Sequence, residues 1–168
     1  CAAFILLQTR ATTTPASGSG SASTSPATPS STSASTLALP AIVSSQPSDW
    51  TPDSGEVICQ NALTANPDID LIFSHADDMA LGCAKAIASA GSSAKLIATG
   101  GGSALGAVAI QEGEIEASVC TQPGLIGELS AKVLQEAAAD PANAKKGQYV
   151  TYDMVALTKE NVDSCPKW

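Results

Sequence analysis

The chain has 168 residues, of which 44% are hydrophobic, and it carries eight basic and sixteen acidic side chains. This length suffices for one domain with a sizeable core. All sixteen acids lie at position 49 or later, so the net charge of −8 arises in the later part of the chain. Because contacts to a nucleic-acid backbone need clustered Lys and Arg, we expect no nucleic-acid partner.

The first 39 residues are predicted to lack a core of their own. Residues 11–36 contain only Ala, Thr, Pro, Ser and Gly, which bury too little apolar area to offset the entropy cost of ordering. Residues 1–7 are apolar, but this run is too short to span a bilayer. They suit a lipidated Cys1 ahead of a tether, the remnant of a signal sequence, or the start of a fragment. We therefore assign residues 1–39 to a disordered linker or tether and residues 40–168 to the folded lobe.

The five cysteines are Cys1, Cys59, Cys83, Cys120 and Cys165. They show no CxxC or Cys/His spacing, so no metal site is expected. Apart from Cys1, four cysteines allow two disulfides in three connectivities. A bridge suits an exported protein, but Cys59, Cys83 and Cys120 equally suit small buried apolar positions, and we favour the second interpretation.

Residues 41–44 predict a short apolar strand. Thr51 followed by Pro52 predicts the start of a helix, since Thr is a common N-cap and Pro suits the first helical position. This helix is predicted to end at about residue 65, because the residue before Pro67 avoids the helical region.

The segment from residue 66 to residue 82, NPDIDLIFSHADDMALG, is the most informative part of the chain. Residues 69–73 predict a buried strand and residues 74–76 a short polar loop. Asp77 and Asp78 open a helix that runs to about residue 90, and Gly91 is its expected left-handed cap. Two acids in the first turn suit the positive end of the helix dipole.

The remaining elements continue the alternation. Residues 95–99 and 114–120 predict strands, and residues 104–111 predict a short helix between them. The glycines at 100–102 lack the Lys-Ser/Thr of a phosphate loop, so we favour a tight turn there. A helix from Pro123, an extended segment at 149–157 and a capped turn at 158–163 follow. The predicted inner face of the helix from Pro123 is Leu125, Ile126, Leu129, Val133 and Leu134.

Strands that alternate with helices at this spacing predict an α/β fold, a three-layer open and mostly parallel sheet with helices on both faces. In such a sheet, small ligands bind in the loops at the carboxyl ends of the strands. The loops at residues 74–77, 99–103 and 121–122 are therefore the candidate binding loops.

From about residue 41 onward the chain resembles the C-terminal part of the type I periplasmic binding proteins, the ribose-binding-like receptors of sugar ABC transporters. The segments that carry this resemblance are residues 45–50 (SQPSDW), 66–82, 106–119 (GAVAIQEGEIEASV), 122–127 (QPGLIG) and 158–162 (TKENV). The resemblance implies a two-lobed receptor that closes on a small solute. It places the hinge crossings at Cys120 and Thr121 and at Tyr152 and Asp153.

The resemblance also implies roles for single residues. Trp50 stands where the family places an aromatic ring that stacks on the sugar, and Thr121 stands where a polar hinge residue contacts the ligand. Asp77 matches an acid at a loop–helix junction, where capping is its expected role. The full set of candidate ligand-binding residues is Trp50, Ser74, His75, Asp77, Thr99, Gly101, Ser103, Thr121 and Gln122.

Two positions depart from the pattern of the sugar receptors. Ala76 stands where many of them carry an amide, and Gly101 stands where they carry a carboxylate. Amides and carboxylates usually donate to and accept from sugar hydroxyls. Their loss weakens the expectation of ribose and leaves His75, Thr99 and Ser103, with the amides of the glycine turn, for a different solute.

We therefore expect part of the solute-binding component of a sugar-type ABC transporter, which binds a small polar solute, a sugar first, by hinge closure. The expected partners are that solute and a membrane permease, and the expected state is a monomer. No catalysis, cofactor or metal is expected. The expected location is outside the cytoplasm, in the periplasm or at the cell surface with a lipid anchor at Cys1.

Three other functions stay open. The effector-sensing domain of a LacI-like regulator shares the fold but needs an upstream helix-turn-helix, which residues 1–40 do not contain. A small α/β enzyme would need a phosphate loop or a catalytic pair. A truncated, inactive receptor remnant is the third, because a two-lobed receptor needs about twice as many folded residues.

Overall fold

The computed structural model describes residues 2–8, 41–143 and 149–168. Its strands form one four-stranded sheet and one two-stranded sheet, which isolated bridges from Ile97 to Ala117 and from Gly101 to Cys120 connect. The strands are β1 (Ala2–Gln8), β2 (Ala41–Ser48), β3 (Leu71–Ser74), β4 (Lys95–Ala98), β5 (Ser118–Val119) and β6 (Ala156–Leu157).

The strand directions place several loops at one edge. The order of the larger sheet is β2-β1-β3-β4, in which β1 is antiparallel to both neighbours and β3 is parallel to β4. The bridges between β4 and the β5 region are also parallel. Strands β2, β3, β4 and β5 therefore point the same way, and their carboxyl ends share one edge of the sheet.

The first residues depart from their prediction. Residues 2–8 form β1, in which Leu6 lies opposite Ser44 on one side and Ile72 on the other. This short apolar run satisfies its backbone groups by pairing with two strands at once, which composition alone did not indicate. Residues 9–40, where the linker was predicted, lie outside the described residues.

Two helices begin at side-chain caps, of which Thr51 was predicted and Ser103 was not. The Thr51 side chain accepts a hydrogen bond from the Ser54 N–H at 3.2 Å, and the Ser103 hydroxyl accepts from the Gly106 N–H at 3.0 Å. Gly91 closes its helix in the left-handed conformation. The helices are α1 (Pro52–Ala65), α2 (Asp77–Ala90), α3 (Ala104–Glu112) and α4 (Pro123–Ala139), with single 3₁₀ turns at Pro141–Asn143 and Val162–Ser164.

The core lies between the sheet and helices α1 to α3. Ile72 and Leu96 from the strands and Met79 and Ile110 from the helices are at most 1% exposed. Burial alternates along β3 and β4, as period-two strands with one covered face require. The opposite face carries half-buried and exposed side chains.

Helices α1 and α2 pack unusually close to each other. A Cβ atom added to Gly82 of α2 would lie 1.9 Å from the Pro52 carbonyl oxygen of α1. The residue after Gly82, Cys83, forms a disulfide with Cys59 of α1. The preference for unpaired, apolar cysteines is therefore wrong. A second disulfide joins Cys120 to Cys165, and neither partner could be chosen from the sequence because pairing depends on the fold.

Helix α4 does not follow the packing of the other three. It has no buried residue, and its apolar side chains Ile126, Val133 and Leu134 are 40%, 40% and 70% exposed. Leu125 and Leu129 of the predicted inner face are half-buried, so within the described residues this face is only partly covered. None of the helices within residues 2–8, 41–143 and 149–168 has the length and apolarity to cross a membrane.

Candidate functional site

The loops after β3, β4 and β5 are joined at the carboxyl edge of the sheet. The Thr99 N–H donates to the Ser74 carbonyl at 3.0 Å, and the Thr99 hydroxyl donates to the His75 carbonyl at 3.2 Å. The Gly101 N–H donates to the Val119 carbonyl at 2.7 Å, and the Gly101 carbonyl accepts from Thr121 at 2.8 Å. The three predicted binding loops thus meet, as parallel strands require.

The buried side chain of Asp77 bonds to residues of the neighbouring segments. Its Oδ1 accepts a hydrogen bond from the Ser118 hydroxyl at 2.7 Å, and its Oδ2 lies 3.5 Å from the Ser103 hydroxyl. The side chain is only 2% exposed. Burial raises the pKa of Asp77, the charge of Asp78 raises it further, and the two serine hydroxyls oppose this shift. The carboxyl group therefore connects the start of α2 to the turn after β4 and to strand β5. The expected capping role of Asp77 is wrong, because the N-cap of α2 is Ala76 and makes no side-chain capping bond.

Three of the predicted ligand contacts serve the loops themselves. Ser74 is fully buried, and its hydroxyl donates to the Ala76 carbonyl at 2.8 Å. Gly101 is buried, with both backbone groups bonded to neighbouring strands. The Ser74 hydroxyl thus bonds within its own loop, whereas Gly101 and Asp77 each join different segments. We assign them to the support of the site.

The other polar candidates have surface exposed at the edge. His75 is exposed, and its ring meets Phe73 edge-on at a centroid distance of 5.1 Å. Thr121 and Gln122 are half-buried where β5 ends, and the Gln122 side chain makes no capping bond to α4. Thr99 and Ser103 are also half-buried, with hydroxyls already used in the bonds above.

Trp50 lies at the same edge, beyond β2. Its φ is +72°, which is the left-handed region that bulky residues rarely adopt. The Trp50 N–H donates to the Ser48 hydroxyl at 3.3 Å, and 54% of the residue is exposed. The following residue, Thr51, is held by Asp49, whose carboxylate accepts from the Thr51 hydroxyl at 2.7 Å. These bonds, the Thr51 hydroxyl first, lower the pKa of Asp49.

Strand β1 lies between β2 and β3, so the Trp50 loop is offset from the other three loops. Two strand spacings are about 10 Å. The structure therefore places Trp50 on the predicted edge but at one end of it, beside the joined loops rather than among them.

The first predicted hinge segment, at Cys120, lies next to the chain that enters β6. The Cys120 N–H donates to the Val155 carbonyl at 2.8 Å, so the chain leaving β5 runs next to the chain entering β6. Cys120 is buried, Tyr152 is half-buried and Asp153 is exposed. In sequence, α4 lies between these two segments. Their role as a hinge stays a prediction.

Two residues of the edge were missed by the sequence analysis. Ser118 is the main partner of Asp77, and Trp168 donates its indole N–H to the Thr121 carbonyl at 3.2 Å. Sequence separations of 41 and 47 residues conceal both contacts. The available signal was the end of β5 itself, which places Ser118 and Thr121 near the candidate loops.

A family model described as "Periplasmic binding protein domain" matches residues 35–142. This match covers more than half of the chain. The chain belongs to the periplasmic binding protein family.

Two curated relatives are ribose import binding proteins. The chain is 36% identical to the Bacillus subtilis protein over 107 residues and 34% identical to the Salmonella typhimurium protein over 98 residues. These matches cover 64% and 56% of this chain, but 33% of either relative. The chain thus spans about a third of the length of these relatives.

A solved structure gives the same result for the fold. The solute-binding protein of an ABC transporter from Actinobacillus succinogenes, determined with bound D-allose, superimposes with a TM-score of 0.59 at 25% identity. The superposition covers 73% of this chain and 43% of that protein. The predicted resemblance to ribose-binding-like receptors and the predicted α/β lobe are confirmed.

Proposed function

We propose that this chain forms one wall of the binding cleft of a carbohydrate receptor and binds a small polyhydroxylated solute at the edge formed by the loops after β2 to β5. The observation that carries the proposal is Trp50, an indole held exposed at φ +72° on this edge. Strained backbone at a bulky residue is typical of binding sites, where it has a use. The names of the relatives, which bind ribose and D-allose, support the class of solute.

The groups around this edge suit a neutral solute. Thr121, Gln122 and His75 offer hydroxyl, amide and imidazole groups, which both donate and accept hydrogen bonds. An exposed indole provides the apolar surface on which the C–H face of a sugar ring packs. We therefore infer recognition by stacking with neutral hydrogen bonds.

The glycine at position 101 explains why a carboxylate is not part of this set. A Cβ atom there would lie 2.6 Å from the Ser118 hydroxyl and 2.8 Å from the Val119 carbonyl. Any side chain would displace Ser118, and Ser118 is the partner of Asp77. The glycine at position 101 is thus required by the packing of Ser118 against it. A carboxylate cannot be placed there, and this supports a solute other than ribose.

A second lobe is part of the proposal. Helix α4 has no buried residue, and Tyr149, Val150 and Val155 beside it are also exposed. An apolar helix face of this kind needs a cover. We infer that α4 and residues 149–155 pack on a first lobe, that the segments at Cys120 to Thr121 and Tyr152 to Asp153 are the hinge, and that closure buries the solute.

The transport role follows from the same class of relatives. We propose that a monomeric receptor delivers the solute to a membrane permease of an ABC transporter without catalysis. Two disulfides within residues 59–165 support a location outside the cytoplasm, because such bonds persist in oxidising compartments. The lipid anchor at Cys1 belongs to this proposal as a prediction.

Ligand-observed NMR tests the proposed function. The full chain is titrated with D-ribose, D-allose and further sugars and polyols at millimolar concentration, since one wall of a cleft binds weakly. A binding solute also raises the melting temperature, because it stabilises the folded state. Trp50→Ala is expected to abolish the signal and Trp50→Phe, which keeps a ring, to retain part of it. If no sugar or polyol binds, the function is wrong; if one binds equally well to Trp50→Ala, the stacking role is wrong.

A further inference from the structure

The segment Cys165 to Trp168 lies on the candidate binding edge and is fixed there by three bonds. The disulfide ties Cys165 to Cys120, the residue before Thr121. The Trp168 N–H donates to the Gly102 carbonyl at 3.1 Å, and the Trp168 indole N–H donates to the Thr121 carbonyl at 3.2 Å. The tail therefore joins the glycine turn after β4 to the residue after β5.

The conformation of Gly102 leaves room for residues 165–168. Its φ of +111° is one that side chains rarely adopt. A Cβ atom on it would lie 2.8 Å from the Trp168 indole nitrogen and 3.2 Å from the Cys165 sulfur. The glycine thus permits the turn and leaves the space in which the indole edge sits. The glycine turn and residues 165–168 therefore pack together as one unit.

The exposure of this indole is not explained by core packing. Trp168 is 59% exposed although both of its N–H groups have partners. Tryptophan usually buries most of its large apolar surface. Here the polar edge is satisfied against the backbone, and an apolar surface stays open beside Thr121.

We propose that Trp168 is a second ligand-contacting aromatic residue, which bounds the site on the β5 side as Trp50 bounds it on the β2 side. The inference rests on the proposed function. The class of ligand is a carbohydrate or cyclic polyol, whose C–H face packs on the indole while its hydroxyls reach Thr121 and Gln122. The disulfide and the two backbone bonds reduce the entropy cost of this contact by holding the ring in place before the solute arrives.

The other role open to Trp168 is to fasten the tail through its indole N–H. The two roles differ in what a substitution must preserve. Trp168→Phe keeps a flat ring and loses the N–H, whereas Trp168→Leu loses both. Stacking predicts a graded loss of affinity, and fastening predicts the same loss for both variants.

The test measures the affinity of the full chain for D-ribose and D-allose by ligand-observed NMR. We expect Trp168→Leu to weaken binding about tenfold and Trp168→Phe about threefold or less, in line with the loss of an aromatic contact. Tyr149→Leu is the matched control, because it removes a 90% exposed aromatic side chain from the chain beyond α4. It is expected to leave the affinity unchanged.

A second measurement covers the case in which Trp168→Leu does not fold. In Trp50→Phe, Trp168 is the single tryptophan of the chain, and bound sugar should shield its fluorescence from acrylamide. Equal losses in the two Trp168 variants, unchanged affinity in Trp168→Leu, or unshielded fluorescence while sugar binds would overturn this proposal alone. If another member of the panel binds and these two sugars do not, the same variants are measured with that solute. Failure of the unsubstituted chain to bind any member of the panel of sugars and polyols would overturn this proposal together with the proposed function.

Discussion

Helices α2 and α4 carry similar apolar patterns and have opposite environments. Six residues of α2 are buried, including Met79 and Cys83. Helix α4 is longer, with 17 residues, and buries none. An amphipathic pattern states that a helix needs a cover, but it does not state where the cover lies. In α2 the cover is α1 and the sheet; in α4 we infer that it is a first lobe.

We expect the largest difference in stability between the two helices when one glycine in each is replaced by alanine. In Gly82→Ala, the new methyl group lies 1.9 Å from the Pro52 carbonyl oxygen, so α1 and α2 must move apart, and we expect a loss of about 3 kcal/mol or more in the free energy of unfolding. The control is Gly127→Ala in α4, where nothing lies within 4 Å of the added atom. That change should stabilise by about 0.5–1 kcal/mol through helix propensity. Urea unfolding measures both, and equal effects would contradict the comparison.

A smaller difference is expected for apolar truncation. Ile110 of α3 is 1% exposed, and Ile110→Ala should cost about 2–5 kcal/mol because it leaves a cavity in the core. Leu134 of α4 is 70% exposed, and Leu134→Ala should change stability by less than about 0.5 kcal/mol. Thermal unfolding of the chain measures both. A large cost at Leu134 would show that the α4 face is covered in solution.

The smallest effect concerns the start of α2. Because burial raises the pKa of Asp77, the folded state holds the proton more tightly than the unfolded state. The stability of the unsubstituted chain relative to Asp77→Asn should therefore fall as pH rises from about 4, the usual Asp value, through the raised pKa. Below that range the difference should no longer vary with pH. Asn keeps an oxygen that accepts from Ser118, so the comparison isolates the charge. A difference that grows with pH in favour of Asp77 would contradict the burial argument.

Much of the fold was predictable because local signals fix its elements. Thr51 with Pro52 marked the first residue of α1, and Gly91 marked the end of α2. The alternation of strands and helices then placed the loops at 74–77, 99–103 and 121–122 on one edge. The structure shows that these loops do meet there.

What could not be predicted depends on pairs of residues far apart in the chain. The bond from Ser118 to Asp77 and the two disulfides join positions that no local pattern relates. The burial of Gly101 against Ser118 and Val119 depends on such a distant pairing as well, so this candidate contact, like Asp77, supports the site. The place of residues 2–8 in the sheet also depends on which strands flank them, and short apolar runs do not specify their neighbours.

The second disulfide joins Cys120 to Cys165 at a sequence separation of 45 residues, and α4 lies wholly within the loop that it closes. A single peptide-bond cut anywhere in the loop therefore leaves one covalent molecule under oxidising conditions. Proteolytic nicking, or the exchange of α4 for another sequence, changes only the loop between the two cysteines. Cys120 and Cys165 stay covalently joined. Reduction is the step that would let the fragments part.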